Sequence, residues 1–452
     1  MIMSNNIDLK KGLNIPIRGM AVLALKKTIV PDVAAVKPTD FKGFSPRLLV
    51  KEGDAVKAGS PVMADKQHAD ILLCSPVSGT VQSVVRGEKR KLLALLVKAD
   101  DRQEAVDFGA KDPAGLDAEA VKASLLSSGL WPSIVQRPYG IIADPGARPK
   151  AIFVSAFSTA PLAADTAFAF QDEYAAVQAG ITAVSKLTDG GVHVCVNSTE
   201  SPFYKLRDAI IHVVRGDKHP AGNVGVQISH ISPIRKGETV WTLSLLSLAA
   251  IGKLFLNGRL DLRRKIAVTG PEAIEPAYVQ AVAGVSMRAL QDFYNPGDEN
   301  VRVVSGDALT GENVGMDGFL GFFDNQVTLL HEGHEREVLG WAKPFRFNQF
   351  SSSKAYFSWL CPKKKYGMDT NMHGGPRAFV ISNVFEKVLP MDLFPIYLIK
   401  ACYTGDIDKM EQFGIYEVLP EDFALCEFVD PSKNEIQAII QKGIDLMLKE
   451  MA

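Results

Sequence analysis

The chain has 452 residues, of which 47% are apolar, and a formal net charge of -1 at pH 7. At about 100–200 residues per domain, this length predicts three or four domains, each with its own core. The balanced charge excludes a bulk electrostatic field that would draw the protein to nucleic acid or to anionic lipid.

The cysteines and the apolar segments narrow the class of protein further. The cysteines are scattered without any C-x-x-C pair, which is typical of reduced intracellular thiols and not of a disulfide framework or an iron–sulfur ligand set. Residues 1–11 are polar and lack the apolar core of a signal peptide. The longest apolar stretch, residues 240–252, is shorter than the roughly 20 residues of a membrane span. We therefore expect a soluble protein, or one that its partners hold to a membrane.

Residues 1–100 predict a β-rich domain. Apolar strand positions alternate with turns through residues 49–81, where Gly53-Asp54 and Gly59 mark the first two turns. Residues 10–17 and 92–98 predict an opening strand and a closing strand.

The paired strand-and-turn pattern resembles the barrel-sandwich fold of biotinyl and lipoyl domains. Carriers of that fold attach a swinging cofactor to a lysine on an exposed hairpin, and Asp65-Lys66 imitates such a site. The spacing from Gly53-Asp54 to Lys66 is shorter than carriers use. We therefore expect an unmodified Lys66 and a carrier-like fold that is purely structural.

Residues 101–260 alternate helices and strands, which predicts a doubly wound, Rossmann-like α/β domain. The first helix would end near Gly129, a typical helix stop. The pattern predicts helices at residues 117–128, 171–186 and 240–253, and strands at residues 151–155, 192–196 and 210–215.

Two further domains complete the predicted organisation. Residues 261–340 predict a small β-grasp-like α+β module, with strands at 265–269, 301–305 and 327–330 and a helical or extended connector at 276–283. Residues 341–452 predict a mainly helical domain, which ends in a helix over residues 434–451 with apolar residues at helical spacing.

Several strings spread along the chain resemble one family. They are K-K-G-L-N-I-P-I from Lys10, S-K-L-T-D-G-G-V-H-V-C from Ser185, H-P-A-G-N-V-G from His219, T-V-W-T from Thr239, I-G-K-L-F from Ile251, V-L-P-M-D-L-F-P from Val388 and L-C-E-F-V-D-P-S-K from Leu425. With the barrel-sandwich start, they resemble the NqrA family of the Na⁺-translocating NADH:quinone reductase nearly end to end. That family is related to the C subunit of the Rnf complex and to the flavoprotein subunit of respiratory complex I, which bind FMN and NADH in the α/β domain.

The relatives' flavin and nucleotide site is degenerate in this chain. A phosphate cradle needs closely approaching backbone N–H groups and hence glycine, yet residues 130–139 contain two prolines and no glycine. The acidic residues of two further family strings are missing at residues 155–161 and 219–224, and the carboxyl-terminal cysteine cluster is reduced to two dispersed cysteines. We therefore expect no FMN and no iron–sulfur cluster.

The remnant of this groove is the predicted small-ligand site. Trp131 and Tyr139 would stack on a quinone head group, and Arg137 would donate to one of its carbonyl oxygens. In the alternative interpretation, the same bulky side chains fill the old pocket and close it.

Two other segments suggest function. Residues 331–335 read H-E-G-H-E, but a zincin helix needs histidines at i and i+4, so we interpret them as a solvated turn without metal. The stretch 341–366 combines aromatic residues with Lys363-Lys364-Lys365. Such a stretch suits a membrane interface or a membrane-bound partner, and it equally suits a packed core with a solvated lysine tip.

The resemblance implies a peripheral subunit on the cytoplasmic face of the bacterial inner membrane. It would lack a redox cofactor of its own, contribute to quinone interaction, and dock on the membrane subunits of the NADH:quinone reductase. The isolated chain would not be catalytic. The alternatives are a stand-alone flavoprotein, an enzyme carrying lipoyl or biotin, and a soluble scaffold.

Overall fold

A computed structural model of the protein describes residues 5–295, 300–334, 340, 343 and 346–451. Its strands assemble into four sheets. In chain order the strands are β1 (Asn5–Asp8), β2 (Val22–Thr28), β3 (Val33–Val36), β4 (Pro46–Leu48), β5 (Ala55–Val56), β6 (Pro61–Asp65), β7 (Leu72–Cys74), β8 (Gly79–Arg86), β9 (Leu92–Ala99), β10 (Val135–Arg137), β11 (Ile141–Ile142), β12 (Ile152–Ser155), β13 (Val192–Val196), β14 (Ile210–Arg215), β15 (Val240–Leu243), β16 (Arg263–Thr269), β17 (Ala277–Val282), β18 (Val301–Ser305), β19 (Glu312–Asn313) and β20 (Gln326–His331).

The α-helices belong to the α/β part of the chain and to its carboxyl-terminal part. They are α1 (Ala118–Ser127), α2 (Thr166–Ala169), α3 (Tyr174–Val184), α4 (Val224–Ile231), α5 (Leu245–Asn257), α6 (Phe385–Val388), α7 (Pro395–Thr404), α8 (Ile407–Gln412), α9 (Ala424–Val429) and α10 (Ile436–Met451).

The largest sheet has the strand order β1-β14-β13-β12-β15-β10-β11. The five strands β1, β14, β13, β12 and β15 run parallel to one another. β10 pairs antiparallel with β15, and β11 pairs antiparallel with β10 at the edge of the sheet. Ile152 and Val154 pack into the core that contains α3 and α5, whereas Phe153 packs with Ile228 of α4. Because side chains alternate along a strand, helices cover both faces of this sheet.

The predicted helix at residues 240–253 is wrong in its first part. Residues 240–243 form the central strand β15, which pairs with β12 and β10. Ser244 then caps α5, because its hydroxyl oxygen accepts a hydrogen bond from the N–H of Ser247 at 3.1 Å. A short apolar run cannot by itself distinguish a buried strand from a buried helix.

The amino-terminal segment joins two sheets before the barrel-sandwich domain begins. β1 pairs with β14 of the largest sheet, and β2 pairs with β17 at the edge of a six-stranded sheet. The predicted strand at residues 10–17 is wrong: this segment has a single bridge, from Ile17 to Tyr366. Its backbone instead bonds to remote loops, as from the Leu13 N–H to the His219 carbonyl at 3.0 Å.

The barrel-sandwich domain consists of two small antiparallel sheets, β3-β9-β8-β5 and β4-β6-β7. Gly53 and Gly59 both have φ of 90°, which explains why glycine occupies these turns. At the end of β6 the buried Asp65 carboxylate accepts backbone N–H groups of Ser45, Gln67 and His68 at 2.6–3.0 Å. Asp65 thus holds the β6–β7 hairpin together, and Lys66 is exposed.

A six-stranded sheet has the strand order β19-β18-β20-β16-β17-β2. The connector predicted at residues 276–283 is extended: it forms β17, antiparallel to β16. The predicted strands at residues 265–269, 301–305 and 327–330 correspond to β16, β18 and β20.

The predicted helical domain is only partly helical. Residues 385–451 contain α6 to α10, and Ile436, Ile440 and Ile444 of α10 are fully buried as their spacing predicts. The described residues between 346 and 384 form one 3-10 turn, Phe357–Leu360, and otherwise lack regular helix. Pro362 and the Gly374-Gly375-Pro376 run explain this difference, because proline and glycine oppose helix formation.

Candidate functional site

The three residues predicted to line a quinone groove lie near one another in sequence but have different surroundings. Trp131 is fully buried, and its indole N–H donates to the Ala143 carbonyl oxygen at 2.8 Å. Its ring packs edge to face against Trp241, with 5.5 Å between the ring centroids. Because the indole is wholly enclosed, Trp131 is a core residue in this structure.

Arg137 lies at the end of β10, and its guanidinium group is buried against the carboxyl-terminal helices. Nη1 is 3.0 Å from the Asp422 carboxylate and Nη2 is 2.5 Å from the Glu421 carboxylate. Burial alone would lower the pKa of Arg137, but the two carboxylates outweigh it and raise that pKa above its ordinary value. Arg137 therefore connects strand β10 to the carboxyl-terminal segment that contains Glu421 and Asp422.

Tyr139 is half-buried, and it is the member of the three that approaches open space. Its ring packs edge to face on Tyr416, with the ring centroids 6.3 Å apart. Its φ of 83° is unusual for a residue other than glycine, and its carbonyl oxygen accepts from the Lys42 ammonium at 2.9 Å. The structure thus brings Tyr139 together with Tyr416 and not with Trp131.

A cleft of about 600 Å³ opens beside Tyr416, between the α4–β15 connection and the carboxyl-terminal helices. This volume lies within the roughly 300–1,000 Å³ of small-molecule sites. We call it the Tyr416 cleft; it is lined by Ile234, Arg235, Lys236, Asp392, Leu393, Phe394, Asp408, Glu411, Gln412, Phe413, Gly414, Tyr416 and Glu417.

Aromatic rings form one wall of the Tyr416 cleft. Phe394 and Phe413 meet edge to face with 6.3 Å between centroids, and Tyr397 of α7 packs on Phe413 at 5.6 Å. Phe394 is 65% exposed and Tyr397 is 51% exposed. Rings held in this way present flat apolar faces on which a planar ligand can stack.

A polar triad lies across the same cleft. The Glu411 carboxylate is 2.7 Å from the Lys236 ammonium. It also accepts a hydrogen bond from the Tyr416 hydroxyl, with 2.5 Å between the two oxygen atoms. These hydrogen bonds, first from Lys236 and then from Tyr416, lower the pKa of Glu411. Burial, followed by the hydrogen bond to Glu411, raises the pKa of Tyr416. Tyr416 therefore stays protonated at neutral pH, with its hydroxyl proton directed at Glu411.

Comparison with known proteins places the chain in a family. The models of the NqrA N-terminal barrel-sandwich hybrid domain and the NqrA second alpha/beta domain match residues 7–100 and 116–260. The NqrA subunit of the Na(+)-translocating NADH-quinone reductase of Alcanivorax borkumensis is 36% identical over 97% of this chain and 98% of its own length. The same-named protein of Serratia proteamaculans is 34% identical over 96% of this chain and 98% of its own length. That of Rhodopirellula baltica is 35% identical over 98% of this chain and 98% of its own length. The chain belongs to the NqrA family.

Membership in the NqrA family confirms the resemblance predicted from the distributed strings. The barrel-sandwich domain at the amino terminus and the second α/β domain are confirmed with it. Among solved structures, a chain of an NAD+-reducing [NiFe]-hydrogenase matches with 14% identity over 48% of this chain and 47% of its own, at a TM-score of 0.34 that supports no inference. Within the described residues of this NqrA chain, no helix has both the length and the apolar character needed to cross a bilayer.

The H-E-G-H-E string at residues 331–335 is held by an ion pair in this NqrA chain. Glu332 of the H-E-G-H-E string pairs with Arg302 at 2.6 Å, and Glu335 lies outside the described residues. The part of the chain that the structure describes contains no group of three metal-ligating side chains.

His193 and His212 lie on neighbouring strands with 2.9 Å between ring nitrogens, and burial lowers the pKa of His212 to about 4.

The aromatic stretch 341–366 is described only in part. Trp341 and Phe345 lie outside the described residues. Phe357 is 44% exposed and Trp359 is 49% exposed, while Tyr366 is buried and forms a backbone β-bridge with Ile17. The stretch thus contains both exposed and core rings, and its role at an interface stays a prediction.

Sequence reasoning missed the Tyr416 cleft altogether. Lys236 and Glu411 meet across a separation of 175 residues, and neither belongs to a recognisable motif. The available signal was weak: Phe394 belongs to a family string and precedes the proline that begins α7.

Proposed function

We propose that this chain is the peripheral NqrA subunit of a Na⁺-translocating NADH:quinone reductase, on the cytoplasmic face of the bacterial inner membrane. The observation that supports this is the 36% identity with the NqrA subunit of Alcanivorax borkumensis over 97% of the chain. In this proposal NADH oxidation and flavin chemistry belong to other subunits. The chain contributes to quinone interaction and docks on the membrane subunits. Its architecture is a barrel-sandwich domain, a Rossmann-like α/β domain, a β-grasp-like module and a helical carboxyl-terminal part.

The quinone part of the proposal rests on the Tyr416 cleft. A quinone head group is a flat ring with two carbonyl oxygens, so it needs aromatic faces and hydrogen-bond donors. Phe394 and Phe413 supply the faces, and the Lys236 ammonium, which has three N–H groups and is 62% exposed beside Glu411, supplies the donor. Tyr139 packs edge to face against the Tyr416 ring. Of the groove predicted from sequence, the proposal therefore keeps Tyr139, while Trp131 and Arg137 are engaged in the core and in an ion pair.

The assembly test distinguishes this function from the alternatives. A tagged chain expressed in its own host is expected to bring other membrane subunits out of detergent-solubilised membranes. The chain purified alone is expected to be colourless, without FMN or an iron–sulfur cluster, and to have the intact mass of the sequence with an unmodified Lys66. A yellow or brown chain, or a lipoyl or biotinyl mass increment, would favour the stand-alone flavoprotein or the carrier enzyme instead.

Quinone contact is tested by photo-labelling with a quinone analogue. We expect the label in peptides that contain residues 234–236 and 392–417. Phe394→Ala and Lys236→Met should each weaken binding about 2- to 10-fold, because a lost ring contact or hydrogen bond costs on the order of 0.5–1.5 kcal/mol. Tyr403→Ala is the matched control, since Tyr403 is a 70% exposed ring of the same helix α7 outside the cleft.

Two results would contradict the placement of quinone in the Tyr416 cleft. One is a label confined to other segments, such as the aromatic stretch at residues 346–366. The other is unchanged labelling in both cleft variants. Either result leaves the membership in the complex intact, because the assembly test is independent of the ligand.

A further inference from the structure

The first turn of α4 lies at the carboxyl end of β12. Gln227 of α4 donates from Nε2 to the hydroxyl oxygen of Ser155, the last residue of β12, at 2.9 Å. In the sheet, β13 lies on one side of β12 and β15 lies on the other. The chain therefore reverses the direction in which it adds strands to the sheet at β12. Open α/β sheets bind ligands in the crevice at such a point, and the positive end of a helix dipole favours an anion there.

A carboxylate of the same chain already occupies this position. Gly225 is the second residue of α4, and a Cβ added to it would overlap the Asp422 carboxylate and the Arg137 guanidinium. Asn223, the residue before α4, does not cap the helix with its side chain, and its amide instead donates to the Glu421 carbonyl at 3.1 Å. The segment that contains Glu421 and Asp422 therefore sits directly on the helix terminus.

The Asp422 carboxylate is completely enclosed. Oδ2 is 3.0 Å from Nη1 of Arg137 and accepts the N–H of Leu419 at 3.0 Å. Oδ1 of Asp422 and Nε of Arg137 are buried and have no hydrogen-bond partner among the described residues. The environment thus provides one cation and the positive end of one helix, which together suit an oxyanion.

We infer that Arg137 and the first turn of α4 form an anion site whose resident ligand is the Asp422 side chain. The carboxyl-terminal part of the chain closes the crevice of the α/β domain with its own carboxylate. When the Asp422 side chain is removed, the site takes a small free oxyanion: formate, which has the size of the lost carboxylate, replaces it.

Asp422→Ala in the full chain tests this inference. The variant should melt at a lower temperature than the wild type in chloride buffer, because Arg137 loses its enclosed counter-charge. Formate should raise that melting temperature saturably, with several degrees of recovery at constant ionic strength, and the larger acetate and phosphate ions should have a smaller effect. The wild type should show no saturable response, because Asp422 occupies the site. Asp422→Asn is the matched control, since its amide fills the space and should prevent the rescue.

A response of Asp422→Ala to formate that equals its response to chloride would overturn the inference. An equal saturable response in the double variant Arg137→Met/Asp422→Ala would overturn it as well, because the cation would then be irrelevant. If Asp422→Ala does not fold, Asp422→Ser is titrated in the same way. Failure of both variants to fold in formate also counts against a site that formate should complete.

Discussion

Arg137→Met is expected to destabilise the protein by about 3–5 kcal/mol, the cost of removing one partner from a buried ion pair. The substitution leaves the Asp422 carboxylate enclosed without its counter-charge, since the two side chains are 2% and 0% exposed. Glu421 loses the same partner, but its side chain is 46% exposed and water can solvate it. Urea unfolding followed by circular dichroism measures the effect.

The ion pair has a matched control on the surface of the same domain. Arg148 and Asp189 are 2.5 Å apart, and their side chains are 54% and 84% exposed. Because surface ion pairs contribute only about 0–1 kcal/mol, Arg148→Met should be close to neutral. The double variant Arg137→Met/Asp422→Leu should recover much of the lost stability, because it leaves no unpaired charge buried. A loss below about 1 kcal/mol in Arg137→Met would show that the pair does not stabilise the contact.

Gly252→Ala is the second substitution with a large expected effect. Gly252 of α5 packs against α3 so closely that an added Cβ would overlap the Ala176 carbonyl oxygen. Gly180 of α3 approaches the Leu248 carbonyl of α5 in the same way. In an exposed helix, Gly→Ala stabilises by about 1 kcal/mol. Here the two helices must separate, and we expect a net loss of about 1–3 kcal/mol, which is typical of overpacking.

The sign of the change in stability separates packing from helix propensity. Gly115→Ala is the control, because an added Cβ there would meet no atom within 4 Å and Gly115 has no positive φ. It should be neutral or slightly stabilising. Gly180→Ala/Gly252→Ala should cost less than the sum of the single variants, since one separation of the helices accommodates both methyl groups. Additive losses, or a stabilised Gly252→Ala, would contradict close helix packing.

Local sequence determined the elements that depend on neighbouring residues alone. The strands β13 and β14 have the predicted bounds, and α1 begins after Asp117, whose carboxylate caps it by accepting the Ala120 N–H at 2.8 Å. Strand periodicity, cap residues and turn glycines suffice at these places because the interactions that favour each element lie within a few residues. The family strings, taken together, also predicted the correct family.

Only the tertiary structure decided which residues meet. Residues 240–243 became the strand β15 because β12 and β10 offer hydrogen bonds on both sides, which overrides the helical interpretation of an apolar run. Trp131 and Arg137 are three-dimensional neighbours of Trp241 and Asp422, so their surroundings could not be predicted from the segment around them. Asp422 lies 285 residues from Arg137, and no local pattern marks it. Ion pairs and clefts of this kind depend on how separate elements pack, and that packing is a property of the whole chain.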